Sequence, residues 1–213
     1  MCISTDAPLS RRSTVVCVNP ELNGRLAAEL MAKFVPPGAE VAIITGMLAT
    51  EDHRKKTEGF QTGFSAYSAG GKVLAVLEAH ESEEESYQKA CELLARNKHL
   101  AGIYVNTVNC LPVCRAVQEH GRDRQLRLIT TDLFRQMVPF IENGTIGASV
   151  YQDPYRQGRD AVRIVLDHLL EKGVIAATNY LNPVIVLRSN LYLFREVAGT
   201  SPTPASTRTR RSA

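Results

Sequence analysis

Asn106, Asp132 and Gln152 each stand where an apolar run hands over to a loop, at Val105-Asn106, Thr131-Asp132 and Tyr151-Gln152. A carboxylate accepts hydrogen bonds at both oxygens, and a side-chain amide donates and accepts. In an open parallel α/β sheet the carboxyl ends of the strands share one edge, and ligands bind in the crevice outside it. Two amides and a carboxylate on that edge suit a neutral polyhydroxylated ligand. Any one of the three is equally well read as a helix cap or turn former, but three at equivalent strand ends point to a binding edge. Arg54, Lys55 and Lys56 open the helix that follows Thr45-Gly46. A cation is badly placed for the dipole at a helix start, which favours a role outside the helix.

Other residues that could do chemistry read more plainly. Cys110 and Cys114, one helical turn apart, could bind a metal with His120, but no second cysteine pair completes a tetrahedral set. Small thiols of this kind pack buried helix faces, and no metal or cofactor is expected. The five histidines are scattered without nucleophile-and-base spacing. Glu81, Glu83, Glu84 and Glu85 around Ser82 read as acids at a helix's positive end. Asn143-Gly144-Thr145 fits a glycosylation sequon, and Asn-Gly is also a strong turn signal. There is no P-loop, no Gly-x-Gly-x-x-Gly after the first strand, no Gly-x-Ser-x-Gly and no His-Glu-x-x-His. A binding role is therefore expected and an enzyme is not; the enzyme alternative would use Asp132 and Lys56 as an acid and base pair.

The elements that must position these residues follow from periodicity. Strand-length apolar runs occur at 14–18, 40–45, 73–78, 101–106, 126–131, 146–152 and 184–188. The first helix has Asn19 as cap and Pro20 in its first turn, with Leu22, Leu26, Leu30, Met31 and Phe34 on one face, and stops at Pro36-Pro37-Gly38. Further helices are expected near 53–67, 83–96, 109–120 and 133–143. The longest should run over 154–172, capped by Asp153, with Ala161, Ile164, Val165 and Leu169 on its core face and Gly173 as stop. Strand and helix alternating this way give a three-layer α/β/α parallel sheet.

The chain has 213 residues and a formal charge of +3, all accounted for by Arg208, Arg210 and Arg211 of an acid-free tail. The remainder is neutral, which removes the electrostatic case for nucleic-acid binding by the folded part. Five cysteines, an odd number embedded in apolar patterns, suit reduced thiols and a cytoplasmic setting. The Met1 end shows neither a basic n-region nor an apolar h-region, and no apolar stretch approaches the length of a membrane span. Residues 199–213 read as a disordered tail.

Several segments, taken in order, resemble the sugar-binding half of the lac repressor family and the related ribose-type periplasmic binding proteins. They are Asn23-Gly24-Arg25-Leu26-Ala27-Ala28-Glu29-Leu30, Arg54-Lys55-Lys56-Thr57-Glu58-Gly59-Phe60, Ala101-Gly102-Ile103-Tyr104-Val105-Asn106, Ile129-Thr130-Thr131-Asp132, and Asn143 through Pro154. The resemblance covers about Asp6 to Arg195. It implies two α/β lobes that close on a sugar, with Asn106, Asp132 and Gln152 bonding hydroxyls. The family's arginine before the Gly-Phe pair falls on Lys56, a flexible point charge where a planar fork is usual. Arg54 is a possible substitute on another helical face. The family's Asn-Asp pair is here Asn106-Thr107, and Asp6 resembles the first lobe's ligand-binding acid.

The resemblance further implies that most of the first lobe, and in repressors a helix-turn-helix, would precede the point matching Asp6. Residues 1–18 are expected as a partial first-lobe strand, 19–152 as the complete ligand-binding second lobe, and 153–198 as a first-lobe helix and return strand. The orphaned first-lobe parts should expose apolar surface. The expected role is a sugar-sensing module of a lac-repressor-like transcription regulator. It would be a homodimer, and would reach DNA only through a helix-turn-helix outside this chain. The alternative is a substrate-binding protein of a sugar transporter.

Overall fold

The computed structural model describes residues 1–170 and 174–194. The expected stop at Gly173 and the expected disordered tail at 199–213 lie outside the described residues. In chain order the elements are β1 (Cys2–Ile3), β2 (Val15–Val18), α1 (Pro20–Phe34), β3 (Glu40–Thr45), α2 (Glu51–Tyr67), β4 (Lys72–Glu78), α3 (Glu83–Arg96) and β5 (Leu100–Val105). They continue as α4 (Cys110–Glu119), β6 (Arg127–Thr131), a 3-10 turn (Arg135–Met137), α5 (Val138–Glu142), β7 (Ile146–Tyr151), α6 (Pro154–Leu169), β8 (Thr178–Leu181), β9 (Val184–Val186) and a second 3-10 turn (Leu191–Phe194).

Two sheets result. The larger has strand order β4-β3-β5-β6-β7-β9, parallel throughout except that β9 runs antiparallel to β7. Its central strands β3, β5, β6 and β7 are largely buried on both faces, whereas the edge strand β4 is not. Ala42, Ile44, Ile103, Val105 and Leu128 face α3, α4 and α5; Val41, Ile43, Tyr104, Ile129 and Val150 face α1 and α2. The smaller sheet, β1-β2-β8, is parallel and carries α6, with Val16, Val18, Ala161 and Leu181 as its own small core. One complete three-layer lobe therefore stands beside part of another. Val162, Leu166 and Leu169 on α6 are exposed.

Three expectations need correction. The buried stripe of α1 is Asn23, Gly24, Ala27, Ala28 and Met31, while Leu22 is exposed. The reason is close helix packing. A Cβ at Gly24 would lie 2.0 Å from the Lys56 carbonyl oxygen, and one at Gly59 would lie 2.3 Å from that of Glu21. Gly24→Ala is therefore expected to destabilise by about 1–3 kcal/mol despite alanine's better helix propensity, because a rigid backbone blocks the new methyl; urea denaturation checks this. Second, α2 begins at Glu51, so Glu51 and Asp52 occupy its first turn. Arg54 pairs with Glu51 and Glu58, Lys55 with Glu51, and Lys56 with Asp52. The three cations are thus satisfied within their own helix, and the dipole argument for a function outside it falls.

Third, segment 153–198 serves both lobes. The strand that returns to the small sheet is Thr178–Leu181, whereas Val184–Val186 adds to the edge of the large sheet. Three crossings then join the lobes: β2 into α1 at Asn19, β7 into α6 at Gln152-Asp153, and β8 into β9 at Asn182-Pro183.

Candidate functional site

The carboxyl ends of β5, β6 and β7 bring Asn106, Asp132 and Gln152 to one wall of a crevice of about 420 Å³. Lys56 and Asp52 enter it from α2, Glu81 and Thr107 from the loops after β4 and β5, and Ser4 and Thr5 from the loop after β1. Parallel pairing of β5, β6 and β7 places successive strand ends side by side. Four of the five residues expected to bind ligand therefore converge.

Asp132 sits at the end of β6 with φ +69°, a left-handed conformation that Asp tolerates better than most residues. Its backbone N–H donates to the Val150 carbonyl at 3.0 Å, holding the turn against β7. Its carboxylate accepts from the Gln152 amide at 2.9 Å. Burial pushes the Asp132 carboxyl above the ordinary carboxylate range; nearby Lys56 and the Gln152 hydrogen bond oppose this, and Asp52 reinforces it. A carboxylate so placed gains from any donor that a ligand brings.

Asn106 is 1 % exposed. Its amide donates to Thr57 Oγ1 at 3.0 Å and to the His53 carbonyl at 3.3 Å, which fixes its orientation. Its Oδ1 has no hydrogen-bond partner among the described residues. Gln152 is held from behind, since the Gln157 amide donates to the Gln152 carbonyl at 2.8 Å. Gln157 in turn accepts from the Ser4 hydroxyl at 2.9 Å, so a short relay joins the small lobe's loop to the strand-end wall.

Lys56 is almost fully buried and donates to Asp52 Oδ2 at 2.6 Å. It lines the crevice as half of an ion pair. Arg54 is spent on the surface pairs with Glu51 and Glu58 and does not line the crevice. Asp6 lines a small adjoining hollow that shares Ser4 and Asp52 with the crevice: its carboxylate is clamped by Arg12, with Arg12 Nη2 at 2.6 Å from Oδ2, beside Cys17 and Tyr180. The intervening loop, not anticipated in the sequence, supplies that arginine.

Sequence reasoning missed Glu81 and His53. The signal was present, because Ser82 caps α3 by accepting from the Glu85 N–H, which leaves Glu81 outside the helix. Glu81 accepts from Thr107 Oγ1 at 2.7 Å and lies 3.3 Å from His53 Nε2. The Met47 N–H donates to His53 Nδ1 at 3.1 Å. One carboxylate thus ties the first turn of α2 to the loops after β4 and β5. Cys110 and Cys114 are buried in the core under α4, and burial pushes the Cys110 thiol up to about 12. His120 Nδ1 contacts the Ala116 carbonyl at 2.8 Å. No group of three or more metal-ligating side chains forms among the described residues.

A family profile described as a periplasmic binding protein domain matches residues 1–173. The chain is similar to a D-ribose/D-allose-binding protein of Pseudomonas aeruginosa, at 26% identity over 67% of this chain and 44% of the relative. It is also similar to a D-allose-binding periplasmic protein of Escherichia coli, at 25% identity over 70% of this chain and 48% of the relative. The chain thus spans less than half the length of these curated relatives. Among solved structures, a glucose-galactose binding protein from Geobacillus stearothermophilus superposes with TM-score 0.83, at 26% identity, over 89% of this chain and 67% of that one. An ABC transporter periplasmic solute binding protein from Actinobacillus succinogenes with bound D-allose shares the fold, at TM-score 0.81 and 20% identity over 90% of this chain and 70% of that one. These relatives are described as binding proteins; none of them is described as an enzyme or a repressor.

Proposed function

We propose, from the premise that this chain belongs to the periplasmic binding protein domain family, that it binds a small sugar in the strand-end crevice as the solute-binding part of a sugar transporter. The observation that carries this reading is the convergence of Asn106, Asp132 and Gln152 on one wall of a crevice of monosaccharide size. Asp132 offers acceptor oxygens, Asn106 an unpartnered Oδ1, and Gln152 an amide already turned toward the same carboxylate. The three lobe crossings supply a hinge, and a ligand touching both lobes shifts the equilibrium toward the closed form by its differential affinity. Relatives described for ribose, allose, glucose and galactose support a sugar as the ligand class and transport as the setting. They favour the receptor over the regulator.

One observation favours the second reading, a cytoplasmic sugar-sensing module of a lac-repressor-like regulator that dimerises and reaches DNA through another segment. All five cysteines are free. Cell fractionation separates the two, since a receptor is recovered outside the cytoplasmic membrane and a regulator inside it. The shared binding claim is tested by thermal unfolding with D-ribose, D-allose, D-glucose and D-galactose. A ligand at a hundred times its Kd stabilises by about 2.7 kcal/mol. A melting temperature unmoved by every sugar would overturn the reading.

A further inference from the structure

The crevice lining holds more acidic than basic side chains. Asp52, Glu81 and Asp132 line it against one ammonium, Lys56. That ammonium is committed to Asp52 at 2.6 Å. Among the described residues the only side chain bonded to the Asp132 carboxylate is the neutral amide of Gln152. Glu81 meets the His53 ring and the Thr107 hydroxyl. With its three carboxyls ionised, the lining is net negative.

An independent observation points the same way. Asn106 Oδ1, in a side chain almost wholly buried in this wall, is an acceptor without a donor. The acceptors left over on the wall are that carbonyl oxygen, the second oxygen of Asp132 and the outer edge of Glu81, beside the remaining N–H donors of Lys56 and Gln152. An ammonium brings three donors and no acceptor, and it relieves buried charge of the opposite sign. A hydroxyl brings one donor and no charge.

We propose that the crevice selects a sugar carrying a positive charge, an amino sugar, with its ammonium against the Asp132 carboxylate and its hydroxyls shared among Asn106 and Gln152. Glu81 at the rim adds to the field that attracts the cation. A sugar acid would add a further carboxylate to an uncompensated set and is excluded by repulsion. This proposal rests on the sugar-binding reading and narrows its ligand class.

Matched sugars test it. The purified chain is titrated calorimetrically with D-glucose, D-galactose and D-mannose, with the 2-amino and 2-acetamido counterpart of each, and with D-glucuronate. In at least one series the amino sugar is expected to bind about tenfold or more tighter than its hydroxyl parent. N-acetylation, which removes the charge, should abolish that advantage. Glu81→Gln and added salt should each shrink it, and D-glucuronate should not compete. Parents binding as tightly as amino sugars in every series would overturn this proposal and leave the sugar-binding reading standing, as would an advantage untouched by Glu81→Gln. Absence of binding by every neutral and amino sugar would overturn both.

Discussion

Replacing Lys56 with methionine is expected to cost about 3–5 kcal/mol of folding stability, the range for removing one partner of a buried ion pair. The Lys56 side chain is 2 % exposed and that of Asp52 11 %, and they meet at 2.6 Å. Methionine fills much the same space, so packing is largely kept and the loss falls on an Asp52 carboxylate left without a counter-charge. Adding Asp52→Asn to Lys56→Met should recover a large part of the stability, because the stranded charge is then gone. Urea denaturation followed by circular dichroism gives both numbers. A loss under about 1 kcal/mol for the single variant would show that Asp52 finds water instead, as exposed pairs do. Lys56 thus has a structural duty in addition to lining the crevice, and any drop in sugar affinity on mutating it has to be read beside the drop in stability.

Asp132 should behave in the opposite way. Asp132→Asn is expected to raise the stability of the unliganded protein by roughly 0.5–2 kcal/mol near neutral pH, as removing a functional group held at a cost commonly does. The sign follows from linkage. Burial raises the Asp132 carboxyl in the folded chain above its unfolded value. The contribution of this group to stability is therefore fully present below the unfolded pKa and is lost as pH rises through the folded one. The stability difference between wild type and variant should accordingly shrink toward zero below about pH 4, where both folded and unfolded carboxyls are protonated. Asn is the informative substitution because it tolerates the left-handed backbone at φ +69° and keeps an acceptor for the Gln152 amide. Sugar affinity should fall by about 1.5–3 kcal/mol for each hydroxyl bonded to the lost carboxylate. A variant less stable than wild type at neutral pH would mean that Asp132 is compensated within the fold.

The large sheet was legible because its strands are short apolar runs between well-marked caps. Asn19 and Asp153 each accept the N–H bond expected of them. The strand-end residues were legible for the same reason, since a polar side chain directly after a buried parallel strand has only the sheet edge to occupy. The α1 face was misread because its helix contact is made through glycine and alanine, so the largest apolar residues were not the buried ones. β1 has two residues and β8 reads Thr-Asn-Tyr-Leu, too little apolar pattern to reveal either; only the pairing with β2 makes them strands. The clamp that Arg12 forms on Asp6 was not legible, because an acid six residues before an arginine gives no local sign of it. Glu81 was grouped with the acids at the positive end of α3, although the helix begins at Glu83 as expected and its cap is Ser82.

The most direct test is a crystal structure of this chain with the tightest-binding sugar of the panel. The expected result is a sugar in the strand-end crevice, with the Asp132 carboxylate and Asn106 Oδ1 each accepting a hydrogen bond from it and Gln152 within bonding distance. A sugar seated instead on the outer face of α3, α4 and α5 beside Arg115 and Phe140, or a crevice left empty at saturating sugar, would contradict it.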